Sequence, residues 1–188
     1  MTKRSLEPGT ALTPVPAVLV SAGTMTSADI TTLAWVGTVC SDPPLISIAV
    51  RPSRFLHHFI VEGGAFVVNV ADSSHVRQLD YCGMVSGRDV DKWAACGFTR
   101  EQGSVTSVPL VTECPLSIEC VVEQTLHLGS HDLFIGRVVA VHAEDHVLCG
   151  QHVDAAGLDP VCYVTGQYRR MGDLLGRVGF SREADSQG

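Results

Sequence analysis

The sequence predicts a mainly β fold, a barrel with short helices on its rim, and three observations support this class. Apolar stretches rich in Val and Ile have the length of single strands, as at 45–50 and 65–70. Turns rich in Gly and Pro separate them, as in the Ser-Asp-Pro-Pro sequence at 41–44. Helical spacing occurs only in short segments that do not alternate regularly with strands, which argues against a βαβ fold.

The individual elements follow from these patterns in chain order. The predicted strands are 16–21, 30–39, 45–50, 65–70, 116–128 and 133–142. The predicted helices are 53–61, 73–81, 89–95 and 168–178, the last from the spacing of Met171, Leu174, Leu175 and Val178. Residues 22–29 are predicted to form a loop. We expect one domain over residues 1–188, with flexible ends at 1–13 and 181–188.

The junction between strand 45–50 and helix 53–61 carries a candidate anion pocket. Ser53 is the expected N-cap of the helix, and Arg51 and Arg54 flank it. Free N–H groups at a helix N-terminus attract anions, and the fork geometry of a guanidinium suits phosphate. From these residues alone, a capped helix with two solvated arginines is an equally good interpretation.

Composition narrows the functional classes. The chain has 188 residues, with 13 basic and 20 acidic side chains and a formal charge of −7. The negative net charge argues against nucleic acid and anionic membrane surfaces as partners. The absence of any run of more than two basic residues supports the same conclusion. No apolar run approaches the roughly 20 residues that a spanning helix needs. The first ten residues lack the apolar region of a secretory signal, so we expect a cytoplasmic protein.

Cysteine and histidine patterns give no metal or disulfide prediction. The seven cysteines form no C-x-x-C pair, and reduced thiols are the expected state. His142 and His146, with Glu144 and Asp145 between them, follow a strand and are interpreted as solvated surface. The adjacent His57 and His58 have no matching set of ligands. A G-x-G-x-x-G motif is absent, which argues against a Rossmann dinucleotide site.

Six segments, in the same order and at compatible spacing, resemble the flavin reductase-like family, in its flavoredoxin-like branch. They are TLAWVG, SDPP, ISIAVRPSR, FVVNV, DYCGMVSGRDVDK and LGSHDLFIG, and the resemblance runs from about Pro14 to Phe180. It implies an FMN-binding split β-barrel that works as a homodimer.

The resemblance also assigns residues to the flavin. It implies that Arg51, Ser53 and Arg54 hold the phosphate and ribityl chain of FMN. It also implies that the segment beginning at Thr32 lines the flavin ring. The contacts would come largely from main-chain groups of Ala34, Trp35, Val36 and Gly37. From the residues alone, Trp35 would instead be a buried core side chain.

Two further residues would reach the ring itself. Lys92 is implied to interact with the electron-rich end of the reduced flavin, although the charges around it alone suggest a solvated cluster capping a helix. His131 is placed over or beside the isoalloxazine and is the candidate catalytic residue, as a proton donor, a wall or a gate. Tyr163 is expected to close one side of the site.

The sequence departs from the family pattern at two positions. Asp29 stands where the family commonly has Asn, and Leu56 stands where Thr is common, next to the phosphate-binding residues. A carboxylate near a flavin would disfavour the anionic reduced form, and an isobutyl group removes a hydrogen-bond donor. Both changes are expected to weaken FMN binding or to shift its reduction potential.

The resemblance therefore implies an FMN-dependent oxidoreductase, with FAD as an alternative flavin. The leading interpretation is an NAD(P)H:flavin reductase, in which NADH or NADPH passes hydride to flavin N5 and the electrons go on to an acceptor or a partner monooxygenase. A flavoredoxin-like electron-transfer protein, reduced by a protein donor, is the first alternative. A non-redox ligand-binding module on the same fold is the second.

Overall fold

A computed structural model describes residues 2–182, and fourteen strands and four α-helices follow one another along this part of the chain. The strands are β1 Val15–Pro16, β2 Val18–Gly23, β3 Ala28–Leu33, β4 Val36–Ser41, β5 Pro44–Val50, β6 Ala65–Val70, β7 Arg100–Glu101, β8 Leu110–Val111, β9 Leu116–His127, β10 Asp132–Ala143, β11 Leu148–Cys149, β12 His152–Val153, β13 Val161–Val164 and β14 Gln167–Arg170. The helices are α1 Phe55–Gly63, α2 Val76–Met84, α3 Lys92–Cys96 and α4 Ala155–Leu158. The prediction of a mainly β fold is confirmed.

Seven antiparallel strands form the main sheet, in the order β3-β2-β6-β9-β10-β5-β4. The predicted strand 30–39 is wrong, because the chain breaks it at Ala34 and Trp35 into β3 and β4. These two strands are consecutive in sequence but form the opposite edges of the sheet. The sheet therefore curves until its edges approach each other, without pairing β3 to β4.

The inner face of this curved sheet forms the main core. Its fully buried side chains include Ile48, Phe66 and Phe134, and α1 adds Leu56 and Ile60 at helical spacing. The helix ends at Gly64, whose φ of 63° is the left-handed conformation that glycine adopts without strain.

The start of α1 differs from the sequence prediction. The helix begins at Phe55, and its N-cap is Arg54, which makes no side-chain capping bond. Ser53 therefore precedes the cap, and the first amide groups of α1 have no side-chain acceptor at the cap.

A second apolar cluster lies on the other side of β2 and β3, where α2 and α3 pack. Leu79 and Cys82 of α2 and Trp93 of α3 meet Leu19 and Ile30 there. The predicted helices 73–81 and 89–95 exist, but their regular α-helical parts are Val76–Met84 and Lys92–Cys96. Asp91 caps α3, because its carboxylate accepts from the amides of Trp93 and Ala94.

The predicted helix 168–178 is wrong. Residues 167–170 form β14, which pairs with β13, and residues 171–177 have no regular structure. The apolar side chains that suggested a helix are exposed, with Val178 fully so. Gly172 and Gly176 disfavour a helix that has no surface on which to pack.

The N-terminal segment, residues 2–13, is exposed and has no helix or strand. Residues 183–188 of the predicted flexible C-terminal end lie outside the described part. Within that part, no helix combines the length and apolarity needed to cross a membrane. The seven cysteines are free thiols. One domain over the whole chain stays a prediction.

Candidate functional site

A cavity of about 230 Å³ lies where β5 ends and α1 begins. Arg51, Ser53 and Arg54 form one side of it, and the loop 85–87 between α2 and α3 forms the other. Phe55 closes the cavity beside the first turn of α1. The structure thus brings together the three residues predicted to hold a phosphate. We call this space the anion pocket.

The wall of the anion pocket contains a buried ion pair. Lys92 Nζ lies 2.9 Å from Oδ1 and 3.1 Å from Oδ2 of Asp29. The side chains are only 2% and 4% exposed. The interpretation of Lys92 as part of a solvated cluster is therefore wrong, and the Asp29 carboxylate is not a lone negative charge.

The loop between α2 and α3 approaches this pair closely. A Cβ atom at Gly87 would lie 2.3 Å from Asp29 Oδ1 and 2.7 Å from the ring of Phe55, so only glycine fits. Arg88 donates to the carbonyl of Ser53 at 2.9 Å and stacks 5.3 Å from the centre of the Phe55 ring. Sequence reasoning missed Gly87, Arg88 and Phe55, although the first two lie within the family-like segment DYCGMVSGRDVDK.

Trp35 and His131 form a second part of the site. The Trp35 side chain is 44% exposed, so its interpretation as a core residue is wrong. Its ring centre lies 4.5 Å from that of His131. Burial and the positive charge of Arg51 lower the pKa of His131, which favours a neutral imidazole at pH 7. His131 Nδ1 lies 2.9 Å from the hydroxyl oxygen of Ser130.

Asp132 connects α1 to the β9–β10 hairpin. Its carboxylate lies 2.7 Å from His57 Nε2 and 2.8 Å from His127 Nδ1. Hydrogen bonds from His127 and His57 hold the pKa of Asp132 below its usual value. The carboxylate thereby ties the helix that follows the anion pocket to the hairpin that carries His131.

Several predicted site residues lie elsewhere. The Leu56 side chain is fully buried in the main core and does not line the anion pocket, and its expected effect on FMN binding stays a prediction. The Thr32 hydroxyl donates to the carbonyl of Leu79 and joins β3 to α2. Val36 packs against the core, and Gly37 is exposed on the edge strand β4.

Tyr163 belongs to a different cavity. Together with Ala34, Trp35 and residues of the N-terminal segment, it lines a space of about 450 Å³. Tyr163 is absent from the wall of the anion pocket. Trp35 therefore lies between this cavity and His131.

His142 was wrongly interpreted as solvated surface. It is half-buried, and its Nε2 lies 2.7 Å from Oε1 of the fully buried Glu119. His146 is exposed and pairs with Glu144 at 3.0 Å. Within residues 2–182, no group of three His, Cys, Asp or Glu residues has the arrangement of a metal site.

The residues of the anion pocket fit a phosphate monoester. Two guanidinium groups, one hydroxyl and the uncapped N-terminus of α1 meet at one cavity. Each is a donor that binds phosphate oxygens well. The exposed face of Trp35, beside the neutral His131, provides a planar surface near the same strand end. The chemistry of the donor set therefore suits FMN.

Comparison with known proteins bears on this site. The family model described as "Flavin reductase like domain" matches residues 10–172. The flavoredoxin of Desulfovibrio vulgaris (Miyazaki F) is 31% identical, with a TM-score of 0.88, and the match covers 95% of this chain and 98% of that one. The flavoredoxin of Methanosarcina acetivorans is 30% identical, with a TM-score of 0.91 and 98% and 99% coverage.

A third similar structure is a component of a monooxygenase. Component B of nitrilotriacetate monooxygenase from Bacillus cereus is 25% identical over 94% of this chain and 98% of that one, with a TM-score of 0.84. The matches to the first two curated relatives span only 64% and 43% of those proteins. The family match and the shared architecture nevertheless confirm the resemblance seen in the sequence. The chain belongs to the flavin reductase like family, in which flavoredoxins are its structural neighbours, and its open curved sheet is the split barrel of flavin-related oxidoreductases.

Proposed function

We propose that this protein binds FMN and acts as an NAD(P)H:flavin reductase, passing electrons to an acceptor or a partner monooxygenase. The observation that carries the proposal is the anion pocket at the start of α1, next to the exposed Trp35 and the partly buried His131. The similarity to a monooxygenase component supports an oxygenase as the acceptor. When bound, the flavin supplies the redox chemistry, and the protein positions it and controls its surroundings.

The residues of this chain divide that task. Arg51 and Arg54 bind the phosphate and fix one end of the cofactor. The backbone of Ala34 to Gly37 borders the ring, where the exposed edge of β4 leaves open space at Gly37. When the Ser130 hydroxyl donates to His131 Nδ1, the proton of the neutral imidazole is on Nε2. His131 can then donate a hydrogen bond without adding a positive charge.

An anaerobic titration tests the activity. The protein is loaded with FMN, and its visible spectrum is recorded before and after addition of NADH or NADPH. We expect the flavin absorbance to bleach with at least one of the two nucleotides. A spectrum that neither nucleotide bleaches contradicts the reductase, and a protein that binds no FMN contradicts the proposal as a whole.

The second candidate function is electron transfer in the manner of a flavoredoxin. The similarity to two flavoredoxins over nearly the whole chain favours it. In this case FMN stays bound and a reduced protein donor bleaches it, whereas pyridine nucleotides do not. The same titration therefore separates the two candidates.

Arg51→Ala and Arg54→Ala are each expected to weaken FMN binding about tenfold or more. A hydrogen bond to a charged group contributes about 1.5–3 kcal/mol, and 1.4 kcal/mol corresponds to a factor of ten. Fluorescence quenching of FMN measures the dissociation constants. Arg137→Ala is the matched control, because Arg137 pairs with Glu123 on the hairpin strands. Equal affinities for all three variants would show that phosphate does not bind here.

We also propose that the protein is a homodimer. Exposed apolar side chains lie along β4, β9 and β10, and they include Val39, Val121 and Val141. A second copy of the chain would cover such a surface and the sheet edge at β4.

Light scattering after gel filtration tests the dimer. We expect about twice the 20.0 kDa mass of the chain, and Val141→Glu should shift the protein towards the monomer, because it places a charge on the covered surface. Val61→Glu, on the exposed side of α1, is the control. A wild-type monomer would disprove the interface.

A further inference from the structure

The ion pair formed by Asp29 and Lys92 is buried, and it lies between two cavities. The two side chains come from β3 and from the first position of α3. They lie in a wall shared by the anion pocket and a second cavity of about 290 Å³. Buried ion pairs are seldom worth more than apolar packing, so stability alone does not explain this one.

The hydrogen bonding of the ammonium leaves at least one donor for a ligand. Lys92 donates to Oδ2 of Asp29 and forms an ion pair with Oδ1, and within residues 2–182 it makes no further hydrogen bond. An ammonium carries three N–H donors. The remaining donor lies on a side chain that borders both cavities.

The surroundings shield the Asp29 carboxylate and leave Lys92 as its counter-ion. Gly87 and Phe55 cover the carboxylate so closely that no side chain fits between them. The second cavity also contains Arg88, Arg100, Asp89 and Asp91. Asp91 is occupied as the cap of α3, and Arg88 is directed to the carbonyl of Ser53.

We propose that Asp29 is a positioning residue that holds Lys92 in the wall of the flavin site and cancels its charge there. Lys92 then offers a bound flavin a hydrogen-bond donor without a net positive charge. Reduction of a flavin adds negative charge, which a lone cation nearby would favour. The pair therefore keeps the reduction potential of the bound FMN lower than Lys92 alone would set it. This inference rests on the proposed function.

The midpoint potential of FMN bound to Asp29→Asn tests the inference. We expect this variant to increase the preference for reduced over oxidised FMN, measured as the ratio of the two dissociation constants, by about tenfold relative to the wild type. For a two-electron couple this corresponds to a rise of about 30 mV, measured by equilibration with a redox dye. In the double variant Asp29→Asn, Lys92→Met, the pair again has no net charge but the Lys92 donor is also lost, so the potential should fall from that of Asp29→Asn to the wild-type value or below it.

Two controls separate charge from structure. Asp89→Asn removes an exposed carboxylate of the second cavity and is expected to shift the potential much less. Thermal unfolding of each variant without flavin shows whether it folds. If Asp29→Asn does not fold, Asp29→Ser, which also removes the charge, replaces it, and failure of both would mean that the pair is structural and the inference is wrong.

The outcomes are distinguishable from those that test the proposed function. A wild-type protein that binds no FMN overturns the proposed function and this inference together. Variants that bind FMN with an unchanged potential overturn the inference alone. A rise that persists in the double variant also overturns it, because the charge of Lys92 would then not be the cause.

Discussion

Glu119→Gln is expected to lower the free energy of unfolding by about 3 kcal/mol at pH 7, the largest effect of a single polar substitution that the structure suggests. The Glu119 side chain is fully buried on β9. Its carboxylate accepts hydrogen bonds from the amides of Ser104 and Thr106 at 2.8 and 2.6 Å, and it lies 2.7 Å from His142 Nε2. An amide side chain would turn an N–H group towards these donors and leave some of them unsatisfied.

The same carboxylate makes stability depend on pH. Burial alone would raise the pKa of Glu119, but hydrogen bonds from Thr106, His142 and Ser104 outweigh it and lower the pKa from 4.5 to about 2. A depressed pKa in the folded state stabilises the protein fully above the unfolded value. The contribution, about 3 kcal/mol for a shift of this size, is lost as the pH falls from about 4.5 to about 2.

Chemical denaturation at pH 7 and at pH 3 measures both effects. The wild type should lose stability between these pH values, and Glu119→Gln should lose less, because it has no carboxylate to protonate there. Glu123→Gln on the same strand is the control, and its half-exposed partner Arg137 limits the expected change to about 1 kcal/mol or less. If Glu119→Gln and Glu123→Gln lowered the free energy of unfolding equally at pH 7, the buried carboxylate of Glu119 would contribute no more to stability than the partly exposed one of Glu123.

Gly136→Ala is expected to lower the free energy of unfolding by about 2–3 kcal/mol, because β10 crosses the core too closely for a side chain. A Cβ atom at Gly136 would lie 2.6 and 2.7 Å from two ring atoms of Phe66 and 2.9 Å from Cys120 Cβ. Phe66 is fully buried, so its ring cannot move without disturbing the main core.

Gly37→Ala is the matched control for this substitution. Gly37 also lies in a strand, but a Cβ atom there meets no heavy atom within 4 Å. We expect its stability to stay within about 0.5 kcal/mol of the wild type. Phe66→Leu in the Gly136→Ala background should restore part of the loss by making room. If the two alanine variants unfold alike, overpacking is not the reason for glycine at 136.

The sequence was most informative where local signals agreed. Short apolar strands identified the sheet, and a strand end, a helix start and two cations coincide between Arg51 and Arg54. These residues alone fitted an anion pocket and a capped helix with solvated arginines equally well, and the family resemblance favoured the pocket. Leu56 shows the limit of this reasoning. Its position next to the residues of the anion pocket suggested a place in that pocket, but the helical period turns its side chain into the core.

Other features depend on contacts between segments far apart in sequence. Asp29 and Lys92 are 63 residues apart, and the bonds from His57 to Asp132 and from Glu119 to His142 span 75 and 23 residues. No local pattern indicates which acidic residue a given cation or imidazole will meet. The break at Ala34 and Trp35 was missed for a related reason, since an unbroken apolar run does not show that its two halves belong to opposite edges of a sheet.

That break constrains the length of the chain beside the Trp35–His131 pair. Only Ala34 and Trp35 connect β3 to β4, although these strands are the two edges of a seven-stranded sheet. An inserted residue would have to be absorbed within β4, whose pairing with β5 already shifts register between Thr38 and Cys40. A shift by one residue before that irregularity would exchange the inward Val36 with the exposed Gly37. The two-residue length of this connection therefore keeps the Val36 side chain against the core.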